Sequence, residues 1–517
     1  MEGLTDGGVM ATPGGGDRPS PPGAYQVVVI GSGPGGLQVA YWLRRHGLRL
    51  AVLSGDPSPG GMFRRWPFFQ RLLSWTKPHA LPPRGSRAYE RFDWNSLVAD
   101  EAHARALQAP LMDGTSEFPA RAEMEANLAA FARETELAVR YDCRWESTRA
   151  RDGGGFIVET SDGIYEADAV VVAVGVAEPY TPPGNGMDLT HHYAQVRPPE
   201  SYAGRRVVIL GKQNSGFELA NGLLPWACSL ALVSPSAAKL SVQTRTLGGV
   251  RARYVQPYED HVLGGGVSLL DAAIDRIERV EGGDGTLAVH LRRTDGGGDL
   301  RLEAEDVISA TGFTAPLRDL ADLGVVISGR SRLAQLTAWW ESTTVPGVWF
   351  AGTLGQAAKG LEKHGVPANS GAVHGARYNA RALAERLAEI QFGIPRERPS
   401  IDPAGAIDFI VRELAEGPEL WHQRAYLTRI LTADPEAGLV DDGVQPLTHF
   451  LDTAGPDAMG LTIEADGSGA IYPVVYSRRD GQVTEHRLDA DPLLRYDTDV
   501  VRQAVTTIAR ETLPGVA

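Results

Sequence analysis

Four apolar residues in a row, Val27–Ile30, run directly into a cluster of glycines, and helical periodicity follows over Leu37–His46. An unbroken β-branched run of that length predicts a strand buried in a parallel sheet. Similar patterns predict further strands at Leu48–Leu53, at Ala169–Gly175 (returning to the first sheet), and at Leu230–Val233, Leu287–Arg292, Asp306–Gly312 and Val345–Gly352. Val207–Leu210, a turn, and Phe217–Leu224 repeat the opening strand-turn-helix unit. Phe118–Leu137 predicts an amphipathic helix starting at Pro119, and Val139–Tyr141 and Phe156–Thr160 predict strands of a small meander. Asn369 or Ser370 is expected to cap a long helix, Gly371–Leu387. From Pro395 the composition shifts: Asp408–Leu431 reads as helix, and Gly460–Tyr476 as two strands around Asp466-Gly-Ser-Gly, a hairpin.

The glycines give the first pattern its chemistry. Gly31, Gly33 and Gly36 have the G-x-G-x-x-G spacing, in the segment Gly31-Ser32-Gly33-Pro34-Gly35-Gly36. The first makes a tight turn, the second lets backbone approach a diphosphate, and the third lets the helix sit close on the strand. Amide groups at the helix start then face the phosphates. Strand, turn and helix in this order predict a dinucleotide site. The acidic residue usual about 20 residues on is replaced by Ser54, with Asp56 two positions later. Gly61, Met62 and Phe63 follow, where backbone can approach a planar ring and apolar faces can cover it. Trp75, Asp93 and Asn95 interleave polar and aromatic groups, which suits a pocket wall.

The repeated turn is Gly211-Lys-Gln-Asn-Ser-Gly216, and its middle position holds Gln213. A side chain there crowds a diphosphate unless the loop moves. Asn214 and Ser215 complete that turn. Ser234, Ser236 and Lys239 are candidate partners for a 2′-phosphate. Gly175, Gly312 and Gly352 end further buried strands, Thr353 follows the last, and the helix after Ser370 can aim its positive end at a ring oxygen.

Composition narrows the classes. The chain has 517 residues, enough for two to four domains of ~100–200 residues each. A net charge of −14 argues against nucleic acid as a partner. The two cysteines, Cys143 and Cys228, form no C-x-x-C, which speaks against a disulfide framework and a dithiol redox centre. No metal site is expected. No apolar run reaches the ~18 residues of a membrane span. Met1–Gly23 reads as a disordered tail without a signal-peptide core, so a cytoplasmic protein is expected.

Gly31-x-Gly-x-x-Gly36, Ala173-Val-Gly175, the turn at 211–216, Ala310-Thr-Gly312 and Phe350-Ala-Gly352, in this order, resemble flavoproteins with two dinucleotide domains. Within that group the chain is similar to the class B flavin monooxygenases. It resembles more closely the FAD-dependent oxidoreductase domain-containing proteins of the endoplasmic reticulum. Gly35-Gly-Leu-Gln38, Asp93-Trp-Asn-Ser-Leu97, Asn214-Ser215, Arg251-Ala252 and His374-Gly-Ala-Arg-Tyr-Asn-Ala-Arg-Ala382 carry that closer likeness. The resemblance implies an α/β fold of two Rossmann-like, glutathione-reductase-like domains (three-layer ββα), the second inserted in the first, plus an α+β C-terminal appendage. FAD would lie on 24–180 and 305–395, NADPH or NADH on 181–304, and the appendage would be 396–517. The chain departs from the family pattern at Gln213, at Thr353 and ahead of the second turn. There only Pro183-Gly184, His191, His192 and Tyr193 echo it.

The resemblance further implies an FAD-dependent monooxygenase. NAD(P)H would reduce the flavin, and a C4a-hydroperoxide would pass one oxygen to a small molecule, in bacterial secondary metabolism. Asp93, Asn95 and Arg251 are the candidate catalytic residues near the ring. Two alternatives stay open. The flavin is fed by its own substrate or a partner reductase because Gln213 blocks nicotinamide, or it is structural and the region after 400 binds a protein partner.

Overall fold

The computed structural model describes residues 18–67, 70–244, 249–366 and 370–516. Gly23–Ile30 is the central strand of the first sheet, flanked in parallel by Leu50–Leu53 and Gly163–Val172. Val27, Val28 and Val29 are wholly buried, as an apolar run covered on both faces requires. Val139–Arg140 extends this sheet in parallel beside Leu50–Leu53, so it is no part of the expected meander. The meander consists of Trp145–Ala150, Phe156–Thr160 and the start of Gly163–Val172. The second half of that long strand takes Val348–Phe350 in parallel. The predicted strand at 169–175 therefore starts earlier and ends at Val172, leaving Gly175 in a turn with φ +72°.

Helix Pro34–Arg45 covers one face and packs along helix Val373–Phe392. Leu37, Tyr41, Phe131, Leu383 and Leu387 are shared in the core beneath them. The amphipathic helix runs Arg121–Glu134, and the Glu123 carboxylate accepts from the Ala120 amide at 2.6 Å to close its first turn. The long helix begins at Val373, three or four residues after the expected caps. Its N-cap is Ala372, with no side chain bonded to the first turn, and the Ser370 hydroxyl lies 3.5 Å from Gln423 Oε1 instead. Asn369 lies outside the described residues.

The second sheet is built wholly from residues between Val172 and Val348. Arg206–Leu210 lies between Ser229–Ser234 and Asp306–Ser309, parallel to both. Val267–Arg279 adds in parallel, followed by antiparallel Leu287–Arg293 and Asp299–Ala304. The fold is thus α/β with one parallel-sheet unit inserted in another. Where the chain crosses between them, Glu178–Pro179 and Phe313–Thr314 pair antiparallel.

The last sheet is antiparallel, in the order Gly438–Pro446, Leu427–Asp434, Ala458–Ala465, Ile471–Arg479, Gln482–Arg487. Helices Ala406–Glu416 and Asp499–Thr512 cover one face. The hairpin around 466–469 is present. The single helix expected over 408–431 is not: Gly417-Pro418 breaks it, a short helix Pro418–His422 follows, and Leu427 opens a strand.

This region is welded to the first sheet's unit. Tyr426 and Leu427 sit in the same core as Leu383, and the Tyr426 ring lies 5.5 Å from that of Trp340. Arg87 forks onto Glu413 at 2.6 and 2.8 Å and onto Glu419 at 2.7 Å. The tail read as 1–23 falls largely outside the described residues. Residues 18–22 are held, with Arg18 on Asp162 and the Tyr165 hydroxyl donating to Ser20 O. No helix among the described residues is long and apolar enough to cross a membrane.

Candidate cofactor site

The first glycine turn shows why each position is glycine. A Cβ on Gly31 (φ +115°) would stand 2.5 Å from the Ala173 carbonyl oxygen, and one on Gly36 would stand 1.9 Å from that of Gly31. These two glycines close the turn on itself. Gly35 is pressed against the end of a distant strand, since its Cβ would lie 2.3 Å from Gly352 backbone. Gly33 is different. Its φ and ψ are −72° and 179°, open to any residue, and a Cβ there would meet nothing within 4 Å. It is the N-cap of helix Pro34–Arg45, no side chain caps that end, and no acid lies in the first turn. Unmet amides and the positive end of the helix dipole therefore face open space.

The second turn repeats the geometry. A Cβ would lie 2.4 Å from Ala310 O at Gly211 and 2.1 Å from Gly211 O at Gly216. Its open position holds Gln213, which is exposed and does not cap the helix Asn214–Leu223.

A cavity of about 1260 Å³ starts at the first turn. Gly31, Ser32, Gly33, Pro34 and Gly35 form its floor, with Ser54 and Asp56 at one side. Gly61, Met62, Phe63, Gly175 and Thr353 continue the wall, and Ser215 of the second turn closes the far end beside Tyr193 and Phe313. The Ser54 hydroxyl lies 2.8 Å from that of Ser32 and accepts from the Asp56 amide at 3.3 Å, tying the second strand to the turn. Gly61 leaves room for Asp56, whose side chain a Cβ there would overlap at 2.4 Å. Thr353 Oγ1 accepts from the Val176 amide at 3.3 Å.

Other candidates stand apart from this wall. Gly36, Gly211, Gly312 and Gly352 do not line it. Ser370 is buried toward Gln423. Asp93 and Asn95, 1% and 0% exposed, are braces of the chain they sit in. Asp93 accepts from Thr76 Oγ1 at 2.9 Å and from the amides of Asn95 and Ser96 at 3.2 and 3.1 Å. Asn95 donates to Thr76 Oγ1 at 3.0 Å. Asn214 pins the loop that carries Arg251. It accepts from the Arg251 amide and donates to Gly249 O, both at 3.0 Å. Burial pushes the Arg251 guanidinium below its usual range.

Trp75 stacks in a cluster with Trp94, which lies 4.2 Å from the His374 ring. His374 is fully buried in the first turn of helix Val373–Phe392 and neither ring nitrogen has a partner. Burial, then the Arg377 and Arg424 charges, push it down to about 3, so it stays neutral.

One group behind the wall escaped the sequence. Glu218 is 5% exposed, and its two carboxylate oxygens accept from the Tyr193 hydroxyl at 2.6 Å and the Tyr254 hydroxyl at 2.7 Å. Burial pushes it up to about 7 against both bonds. Its signal was an acid set between Phe217 and Leu219 in an apolar helix.

Residues 28–352 match the family described as pyridine nucleotide-disulphide oxidoreductase. The chain belongs to that family. FAD-dependent oxidoreductase domain-containing protein 2 of Mus musculus is 26% identical over 433 residues, 78% of this chain and 64% of that protein. Its Danio rerio counterpart is 30% identical over 44% of this chain and 33% of its own length. The chain thus spans less than two thirds of either relative. Ferredoxin–NADP reductase of Salinispora tropica is 25% identical over 63% of this chain and 85% of its own.

Among solved structures, the bacillithiol disulfide reductase of Bacillus cereus superposes with a TM-score of 0.54 at 22% identity. That match covers 71% of this chain and 99% of that one. The flavin-containing monooxygenase of Stenotrophomonas maltophilia gives 0.52 at 23%, covering 71% and 98%. These likenesses support the same two-sheet fold.

The residues present fit FAD. The open Gly33 position and uncapped helix end suit a diphosphate. The cavity exceeds the ~300–1,000 Å³ of common small-ligand pockets, as an extended dinucleotide requires.

Proposed function

We propose that the protein is an FAD-dependent monooxygenase that takes electrons from NADPH or NADH and delivers one oxygen atom to a small molecule. One observation carries this reading: a single cavity touches both glycine turns, at Gly33 and at Ser215. It gives an FAD on the first turn and a second ligand near the other turn a common space. The family's disulfide chemistry lacks its thiols. Cys143 is buried, with its thiol pushed up by burial, and Cys228 is exposed and unpaired.

The chain's part is binding, orientation and exclusion of water. The amides of Gly33 and Gly35 would hold the diphosphate, and Ser54 and Asp56 would stand on the ribose side. Met62 and Phe63 supply apolar cover beside Gly175. Gly371, Ala372 and Val373 bring the uncapped start of the long helix to the wall, where its amides favour developing negative charge. Bound flavin supplies hydride acceptance and oxygen activation.

Gln213 favours a second reading, in which a partner reductase or the substrate itself supplies the electrons. Purified yellow protein decides between them: anaerobic NADPH or NADH bleaches the flavin in the first reading and leaves it coloured in the second. Oxygen from labelled dioxygen must then appear in a product. Its absence across amine, sulfide and ketone substrates, with peroxide as the sole fate of oxygen, defeats the monooxygenase reading.

A further inference from the structure

Glu218 lies just behind the cavity wall, at the seam between the two parallel-sheet units. It is borne on helix Asn214–Leu223. Tyr193, which forms part of the wall, donates to one of its oxygens, and Tyr254 donates to the other. The groups facing it are these two phenols, the Arg253 charge and the Gln70 amide. One phenol on each oxygen is the arrangement of an ionised carboxylate, which only accepts.

The same atoms accommodate a protonated carboxyl. The Tyr254 hydroxyl also lies 3.3 Å from the Arg71 carbonyl oxygen. A proton on Glu218 Oε1 is donated to the Tyr254 oxygen, while Tyr254 turns its own hydrogen to Arg71 O. The Tyr254 hydrogen serves Glu218 in one state and Arg71 O in the other, so both Glu218 oxygens keep a partner in each state. On the other side, a proton on Glu218 Oε2 is donated to the Tyr193 oxygen as the Tyr193 hydrogen leaves.

We propose that Glu218 stores a proton for the cavity and exchanges it through the Tyr193 hydroxyl. In one transfer, the Glu218 O–H bond breaks as a new O–H forms on Tyr193, and the original Tyr193 O–H breaks as its proton passes to an acceptor in the cavity. Glu218 is left as carboxylate and is refilled from water by the reverse path. No electrons move. Glu218 is a positioning and storage residue, and Tyr193 is the group at the wall. The choice of acceptor rests on the proposed function, but the storage does not.

Two measurements on the purified full chain test this. Infrared spectra against pH are expected to show a protonated-carboxyl carbonyl band that grows as pH falls through neutrality. It should be absent in Glu218→Gln and kept in Tyr193→Phe. An unchanged band in Glu218→Gln overturns the storage role. Next, flavin reduced with dithionite is mixed with aerated buffer, and its reoxidation rate is followed against pH. Wild type should show a break near neutrality. Glu218→Gln and the near-isosteric Tyr193→Phe should both lose the break and slow at least tenfold where wild type is fastest. A break that survives Tyr193→Phe overturns the exchange path. Failure of flavin to bind sinks the proposed function while the infrared titration still decides the storage role.

Discussion

Replacing Gly33 by alanine separates folding from ligand binding. The residue sits at φ −72° and ψ 179°, where alanine is unstrained, and its new methyl meets nothing within 4 Å. Alanine restricts the unfolded chain, worth ~0.4–1 kcal/mol, but it is a poorer N-cap than glycine by a similar amount, so the ligand-free protein should change by less than ~1 kcal/mol. With FAD the loss is larger. On the proposed placement the methyl stands where the diphosphate approaches, and loss of one hydrogen bond to a charged group costs ~1.5–3 kcal/mol. That is roughly 10- to 150-fold in Kd. Saturation at 100 times Kd adds ~2.7 kcal/mol to the wild type, so about half to nine tenths of the ligand's stabilisation disappears in the variant at the same concentration.

Denaturant unfolding with and without added FAD, and flavin-to-protein ratios by absorbance, give the readout. The curves of variant and wild type should lie close together without FAD and separate on adding it. Equal shifts with and without FAD would refute the assignment of Gly33 as the approach point. Gly36→Ala is the contrast: its Cβ would lie 1.9 Å from Gly31 O, so stability and flavin should fall together.

Three further outcomes follow from other sites. Arg87→Met leaves Glu413 and Glu419, 3% and 4% exposed, without the cation that bonds to both, while Arg429 stays 3.9 Å from Glu413. It should cost ~3 kcal/mol in urea unfolding, and a loss below ~1 would show the fork to be incidental. Burial alone would raise Glu419, but Arg87 and Arg429 outweigh it and hold the carboxyl at about 2. Its stabilisation is therefore complete above about 4.5 and fades as pH drops toward 2.

Glu218 has the opposite sign. Its folded pKa of about 7 exceeds the ordinary 4.5, so the folded state holds the extra proton between those values. Wild-type stability relative to Glu218→Gln should fall by ~3 kcal/mol as pH rises from 4.5 to 7, then level off. A flat difference would show that Glu218 titrates as in water. Finally, Gln213→Gly should tighten NADPH binding tenfold or more in calorimetry if the side chain bars the nucleotide, and change nothing if the loop moves aside.

The first turn was legible because its causes are local: a β-branched run, three spaced glycines and a helical repeat lie within about 20 residues. The second turn was legible as a copy. What sequence spacing concealed was contact over distance. Gly35 meets Gly352 across more than 300 positions, so its need to be glycine resembles that of its neighbours. Asp93 and Asn95 misled because polar residues among aromatics look like a pocket wall. Their chemistry is short-range, since Asp93 accepts from amides two and three residues on, a turn-forming habit of Asp. The helix expected through 431 failed at Gly417-Pro418, a break visible in the letters. Glu218 was passed over because one acid in an apolar helix shows its partners only when Tyr193 and Tyr254 fold onto it.

The paired crossings, Glu178–Pro179 and Phe313–Thr314, are the two covalent passages between the units, and they bond to each other. A substitution that unpairs them loosens both links at once, so the spacing between the two glycine turns rests in part on this short ribbon.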